Sequence, residues 1–145
     1  MTRINVGIPP QVLSDQHLIA EHREIKRLPK KGYREFGDVP ISFRLGKGHV
    51  LFFLNKHGYT LRRYRRLYEE CLRRGFNVTD FSSSWKAVEN HLQLWWQPSE
   101  EDVDIVKNRI INRISESSCK FRYEGELITK EDLIKWFSYR YKRQI

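Results

Sequence analysis

TLRRYRRLYEECLRRG, residues 60–75, places Leu61, Tyr64, Tyr68, Cys71 and Leu72 on one helical face and Arg62, Arg63, Arg66, Arg73 and Arg74 on the other. Gly75 supplies the C-terminal stop. An amphipathic helix of this kind needs helical neighbours to bury its stripe. Upstream, Ser14 or Asp15 offers an N-cap for a helix that runs to Leu28, since Pro29 disfavours helical geometry at the residue before it. The segment from Pro29 to Pro40, with Gly32, Gly37 and many charges, reads as loop. In FRLGKGHVLFFLNKHGY (43–59) the short β-branched and aromatic run fits a strand or a buried helical turn, and periodicity does not choose between them. Its Gly46-Lys47-Gly48-His49 stretch lacks the G-x-x-x-x-G-K spacing of a phosphate loop and reads as a turn.

Downstream, residues 76–98 mix FSSS with Trp85, Trp95 and Trp96 and read as irregular or partly helical, pinned by aromatics. PSEEDVDIVKNRIINRI (98–114) is a further helix: Ser99 and Asp102 make a capping-box start, and Val103, Val106, Ile110 and Ile114 recur at helical spacing. TKEDLIKWFSYRYKRQ (129–144) predicts a last helix with Thr129 as N-cap, Gly125 lying in the turn before it. The expected fold is mainly α, a compact single-domain helical bundle with irregular connecting loops spanning 1–145, of which 126–145 form a C-terminal helical extension.

A chain of 145 residues with 39% hydrophobic and 13% aromatic content can bury one core without metal or disulfide staples. Cys71 and Cys119 are far apart and have no C-x-x-C or zinc spacing, so they read as reduced thiols, and no metal is expected. The longest apolar run, VLFFL at 50–54, is too short for a bilayer and the N-terminus lacks a signal h-region. The sequence therefore predicts a soluble protein that is neither secreted nor membrane-bound. A formal net charge of +9, from 27 Lys and Arg against 18 Asp and Glu, favours a polyanionic partner, with nucleic acid first and a merely basic surface as the alternative.

On the first helix, His17, Ala20, Glu24 and Arg27 share one stripe with Arg23 at its edge. Arg23 and Arg27 repel across one turn, a penalty that an anionic ligand would remove. The spacing equally allows Glu24 to pair with Arg27 on a solvated face. His17 and His22 are five apart and point in different directions, which argues against a helix-borne metal pair. Ahead of this helix stands MTRIN; if Met1 is trimmed, Thr2 presents an α-amine whose ordinary pKa of roughly 7.7–8.0 leaves a useful uncharged fraction near neutrality. Arg3, Arg23 and Arg27 would lower it further. Such an amine can attack a sugar C1′ to give an imine, and a nearby carboxylate can stabilise the sugar cation and move protons.

MTRIN (1–5), DQHLIAEHREIKR (15–27), LGKGHVLFF (45–53) and ECLRRGFN (70–77), in this order, resemble the phage and algal-virus pyrimidine-dimer DNA glycosylases, and the similarity extends to about Ile114. The resemblance implies a compact, mainly helical enzyme working without cofactor or metal on double-stranded DNA that contains a damaged site. It excises the 5′ base of a cyclobutane pyrimidine dimer and cuts the abasic strand by β-elimination. It implies Thr2 as the imine-forming nucleophile and Glu24 as the essential carboxylate. Arg23 and Arg27 would hold phosphates, Arg3 would add a basic group, Gln16 and His17 would lie beside the pocket, and Arg109 and Arg113 would contact the DNA backbone. Extrusion of the adenine opposite the lesion is implied too, as is a monomer in the cytoplasm of a bacterial or virus-infected cell, or otherwise DNA-associated.

The chain departs from the phage pattern in three places. One extra residue lies between Asn5 and Asp15, filled by GIPPQVLS. KFRYEG (120–125) stands where the family has W-Y-K-Y-Y-G, leaving Phe121 and Tyr123 around Arg122 to engage the lesion and adding the negative Glu124. A tail follows whose Arg140, Lys142 and Arg143 would add nonspecific DNA affinity. The altered segment leaves open the same chemistry on another damaged or modified base. A noncatalytic DNA-binding domain using the arginine face at 62–74 is the alternative from a different class.

Overall fold

The computed structural model describes residues 3–29, 39–46, 48–88 and 93–135. Thr2, the centre of the 29–40 loop and the tail cations Arg140, Lys142 and Arg143 lie outside them. The fold is mainly α. A 3-10 turn at Pro10–Val12 leads into α1 (Asp15–Ile25), followed by the short α2 (His49–Phe52), the long α3 (His57–Arg73), a 3-10 helix at Ser82–Ala87, α4 (Glu100–Glu116), and a hairpin of β1 (Phe121–Tyr123) and β2 (Glu126–Ile128). A further helical stretch occupies 130–135. Thr129 Oγ1 accepts the Asp132 N–H at 3.1 Å, as the expected N-cap.

Capping chemistry sets the starts of α1 and α4 where the sequence puts them, whereas α3 begins at His57, three residues before the expected Thr60 and without a side-chain cap. Ser14 accepts the His17 N–H to open α1, and Ser99 with Asp102 forms a complete capping box on α4. α1 closes at Ile25, earlier than the expected Leu28. The chain then tightens into i→i−3 bonds from Arg27 to Glu24 (3.1 Å) and Leu28 to Ile25 (3.0 Å), because Leu28 precedes proline. The VLFFL run is a buried helical turn, not a strand.

Packing centres on α3, which lies against α1 and the Ser82–Ala87 helix. Tyr64, Leu67 and Cys71 are fully buried, together with Leu18 and Ile25 of α1 and Val106 of α4. Trp85 docks on α3 by donating its indole N–H to Thr60 Oγ1 at 3.0 Å. Trp96 packs among Phe43, Phe52, Phe53 and Tyr59, the pinning role expected for that segment.

The arginine face of α3 differs from the sequence expectation. Arg63 is buried, as is its partner Glu21, in a two-point ion pair at 2.8 and 2.9 Å. Arg74 is enclosed by Asp15 (3.0 Å) and Glu70 (2.8 Å), and Arg73 pairs with Glu70 and Glu124. Leu72, assigned to the buried stripe, is half exposed. A central helix is covered on more than one side, so a planar guanidinium with a carboxylate waiting can be internal while a leucine on the uncovered side is not.

Residues 120–128 form a hairpin instead of a simple connection. Phe121 pairs with Ile128, Arg122 with Leu127 and Tyr123 with Glu126. Glu124 and Gly125 both take positive φ (50° and 84°), the signature of a two-residue type I′ turn. Asp15 accepts both turn N–H groups, from Glu124 at 2.9 Å and Gly125 at 2.8 Å, which fastens the hairpin to the start of α1. Residues 126–128 therefore add a strand ahead of the helix after Thr129.

The N-terminal segment runs through the interior. Ile4, Val6 and Ile8 are fully buried. Gly7 turns between them at φ +70°, where a Cβ would fall 2.3 Å from Val103 Cγ2, so the strap presses directly on α4.

Candidate active site

Three consecutive backbone N–H groups of this strap are held by three side chains. Arg3 N–H donates to Glu24 Oε2 at 3.1 Å, Ile4 N–H to His49 Nε2 at 2.9 Å, and Asn5 N–H to Glu21 Oε2 at 3.2 Å. A buried strap outside any sheet has no neighbouring strand to satisfy its donors, so acceptors must come from side chains. The Asn5 side chain is held as well: its amide N–H donates to Glu21 Oε1 (2.8 Å) and its oxygen accepts from Arg109 (2.8 Å).

The two α1 carboxylates that face the strap have different capacities left. Glu21 accepts from Asn5 twice and from Arg63 twice, so its lone pairs are taken by the interior. Glu24 is partly exposed and accepts only the Arg3 N–H among the described residues. It forms no ion pair there, which removes the i,i+3 pairing with Arg27 that spacing allowed. One carboxylate is committed to structure, and the other retains accepting capacity toward solvent and ligand.

Cations collect around Glu24. Burial and Arg113 hold the Arg3 guanidinium below its usual range, with Glu24 opposing. Arg109 is held down to about 10 by burial first and Arg3 next. Arg109 and Arg113 leave α4 one turn apart, the first half-buried and the second exposed. Each of these cations pushes on the others, a repulsion that a polyanion relieves. Arg23 on α1 and Arg27 in the turn that follows it stand exposed near Glu24 in the chain. Arg3, Glu24, Arg109 and Arg113 thus form one electrostatic group.

His17 joins this group as a neutral imidazole. Burial, then Arg113 and Arg109, push it down to about 4. Its Nδ1 lies 2.7 Å from Ser14 Oγ, and its ring stacks on Phe121 at 5.6 Å. Gln16 is engaged at both ends of its amide, donating to the Lys120 carbonyl at 2.9 Å and accepting from Arg122 N–H at 3.1 Å. Phe121 is buried under His17, and Tyr123 donates to the Gln11 carbonyl at 2.6 Å. Arg122 is exposed and reaches the Gly125 carbonyl at 2.8 Å. The negative charge of Glu124 is met by Arg73 at 2.7 Å.

Glu21 and His49 have no role that the sequence assigns, and Arg63, expected on the outward arginine face, is internal. Glu21 stands one turn before Glu24, and no sequence signal separates the two, because only the packing of α1 on α3 makes Glu21 internal. Nothing local announces Arg63 among the six arginines between 62 and 74. A cavity of about 680 Å³ between Gly7–Gln11, α3 and Trp95–Pro98 is lined in part by Arg63 but by none of Arg3, His17, Glu24, Arg109 and Arg113, so it is separate from the group around Glu24.

Burial holds four histidines below their usual range: His17 and His57 at about 4, and His22 and His49 lowered. The unfolded chain, near 6.5 for each, binds protons that the folded chain refuses. Stability should be full above about pH 6.5 and fall as pH drops toward 4, where the His17 and His57 contributions are lost. Urea midpoints measured from pH 7 to 4 check this, and a midpoint that stays level or rises on acidification would contradict it.

The described residues contain no cluster of His, Cys, Asp and Glu arranged to hold a metal ion. A family model described as pyrimidine dimer DNA glycosylase matches residues 1–84.

Proposed function

Because the chain belongs to the pyrimidine dimer DNA glycosylase family, we propose that it removes the 5′ base of a cyclobutane pyrimidine dimer through an imine on the Thr2 α-amine and then cuts the strand as a lyase. Its substrate is DNA and its general activity is glycosylic. The observation that carries the finer chemistry is the 3.1 Å bond from Arg3 N–H to Glu24. The peptide nitrogen that Glu24 holds is the one that joins Arg3 to Thr2, so the α1 carboxylate that retains accepting capacity among the described residues is tied one residue from the nucleophile.

In this mechanism the uncharged amine attacks C1′, and the C1′–N bond breaks with its electron pair leaving on the base. The amine sheds a proton, the C1′–O4′ bond opens, O4′ takes up a proton, and a C1′ iminium remains. Glu24 stabilises the cationic sugar and moves these protons. Removal of a C2′ proton then expels the 3′ phosphate by β-elimination. Arg3, Arg23, Arg27, Arg109 and Arg113 neutralise the flanking phosphates, which positions the duplex without reading its sequence. A dimer stacks poorly, so bending the duplex and extruding a nucleotide costs less there than in intact DNA.

The arginine face at 62–74 supports the rival binding-domain function poorly, since Arg63, Arg73 and Arg74 already have internal carboxylate partners. The hairpin bears on lesion choice. With Phe121 buried and Tyr123 hydrogen-bonded to Gln11, Arg122 is its one exposed member of the three candidate contacts. That arrangement favours testing other lesions beside the dimer.

Borohydride trapping tests the proposal, using protein whose N-terminus is checked by mass spectrometry. Duplexes carry one thymine dimer, one abasic site or no damage. The expected result is a covalent adduct on dimer and abasic DNA that maps to the Thr2 α-nitrogen. An adduct on abasic DNA alone moves the glycosylase to another damaged base, and no adduct on either overturns the imine.

A further inference from the structure

We infer that His49 is the positioning residue that seats the N-terminal strap for catalysis, its imidazole holding the Ile4 N–H so that the adjacent Arg3 N–H stays on Glu24. This rests on the imine chemistry proposed above.

His49 bridges two distant segments with both ring nitrogens. Nδ1 lies 2.9 Å from the Arg44 carbonyl, which can only accept, so Nδ1 carries the proton. Nε2 is then the acceptor for the Ile4 N–H at 2.9 Å. The ring is fixed edge-on between Phe43 (5.5 Å) and Phe53 (5.2 Å). A site that needed only bulk there would be filled by leucine or phenylalanine. An imidazole with both nitrogens assigned is a directional clamp.

The clamp differs from its two neighbours along the strap. Glu24 and Glu21 accept the adjacent N–H groups through carboxylate oxygens, whereas at Ile4 the acceptor is a ring nitrogen that can itself take up a proton. Protonated His49 would point Nε2–H at the Ile4 N–H, donor against donor, at a fully buried backbone where water cannot intervene. Glu21 and the Arg44 carbonyl favour the protonated ring, whereas burial, Arg109 and Arg3 oppose it, and the net push is downward. At neutral pH the clamp is therefore closed. Acidification opens it at Ile4, next to the Arg3 N–H that Glu24 holds, while Asn5 stays anchored by Glu21 and Arg109. The release is local to the end of the chain that carries the amine.

The test compares the native chain with His49→Leu and His49→Gln, the glutamine offering an acceptor that does not titrate. Three quantities are measured: the trapping rate at saturating abasic duplex across pH, the Kd for a duplex with a tetrahydrofuran site that cannot form an imine, and amide exchange at Ile4. His49→Leu should slow saturated trapping by about 10- to 100-fold, the scale of an ångström-level misplacement, while Kd is little changed. The native acid limb should steepen from the first to the second power of proton concentration once the pH falls below the lowered His49 range, because amine and imidazole must both be deprotonated, whereas His49→Gln should keep the first power throughout. Equal acid limbs in native and Gln chains, or loss of trapping and binding together in His49→Leu, would overturn the assignment. If the native chain gives no adduct at residue 2, the imine proposal fails and Ile4 exchange decides the seat. Protection at neutral pH that disappears in His49→Leu supports it, and unchanged exchange overturns it.

Discussion

Glu24→Gln is expected to abolish strand cutting on dimer-containing DNA, with saturated rates falling by about 10²–10⁴, the range for a positioned acid-base group. Affinity for the damaged duplex should stay within a few-fold. Gln presents the same shape and keeps an oxygen for the Arg3 N–H, so the strap remains seated. What disappears is the negative charge that faces the developing sugar cation and the capacity to exchange protons with it. Glu24 forms no ion pair among the described residues, so its neutralisation strands no buried cation. Binding rests instead on the surrounding arginines. Single-turnover cleavage and a binding isotherm on the same duplex separate the two effects. Retained cutting would remove Glu24 from the chemistry, and joint loss of binding and cutting would assign it a structural role.

Arg63→Met should give the largest loss of stability, about 3–5 kcal/mol, because it leaves the buried Glu21 carboxylate without its cation. In a chain of this size the melting temperature should fall by about 10 °C. Arg63 also donates to the Ile8 carbonyl, so the strap loses a second anchor. The pair is where α1, α3 and the strap meet, since Glu21 holds Asn5 and Arg63 holds Ile8. Arg63→Lys keeps a charge but not the two-point geometry and should fall between native and methionine. Combining Arg63→Met with Glu21→Leu should cost less than the sum of the single changes, since the unpaired charge is gone, although the Asn5 donors remain orphaned. Chemical denaturation of the four chains measures this coupling. Additive losses would mean that the two side chains do not act as a pair.

These two carboxylates mark how far the sequence is readable. Glu24 was legible because the helical stripe put it with His17 and Arg27 and because MTRIN precedes it. Glu21, one turn earlier, looks like the same kind of residue, and only the packing of α1 on α3 makes it internal. Gln16, Phe121 and Tyr123 show the same limit. Their presence near the site was legible, but the hairpin that occupies Gln16 and buries Phe121 depends on Asp15 gripping the turn 109 and 110 residues away.

By itself the sequence determined the family and the main helices, but neither the hairpin at 121–128 nor the form of the VLFFL run. Caps at Ser14, Ser99 and Thr129, apolar recurrence along α4 and the stop before Pro29 act through neighbours within one or two helical turns, and such short-range preferences are written in the order of residues. Tertiary structure alone decided which charges are internal and which face outward. That choice turns on contacts between residues far apart in the chain: Glu21 with Arg63, Ile4 with His49, Asn5 with Arg109. Burying a charge is tolerable only where a partner has already been brought to it, and no local pattern records where that partner will be.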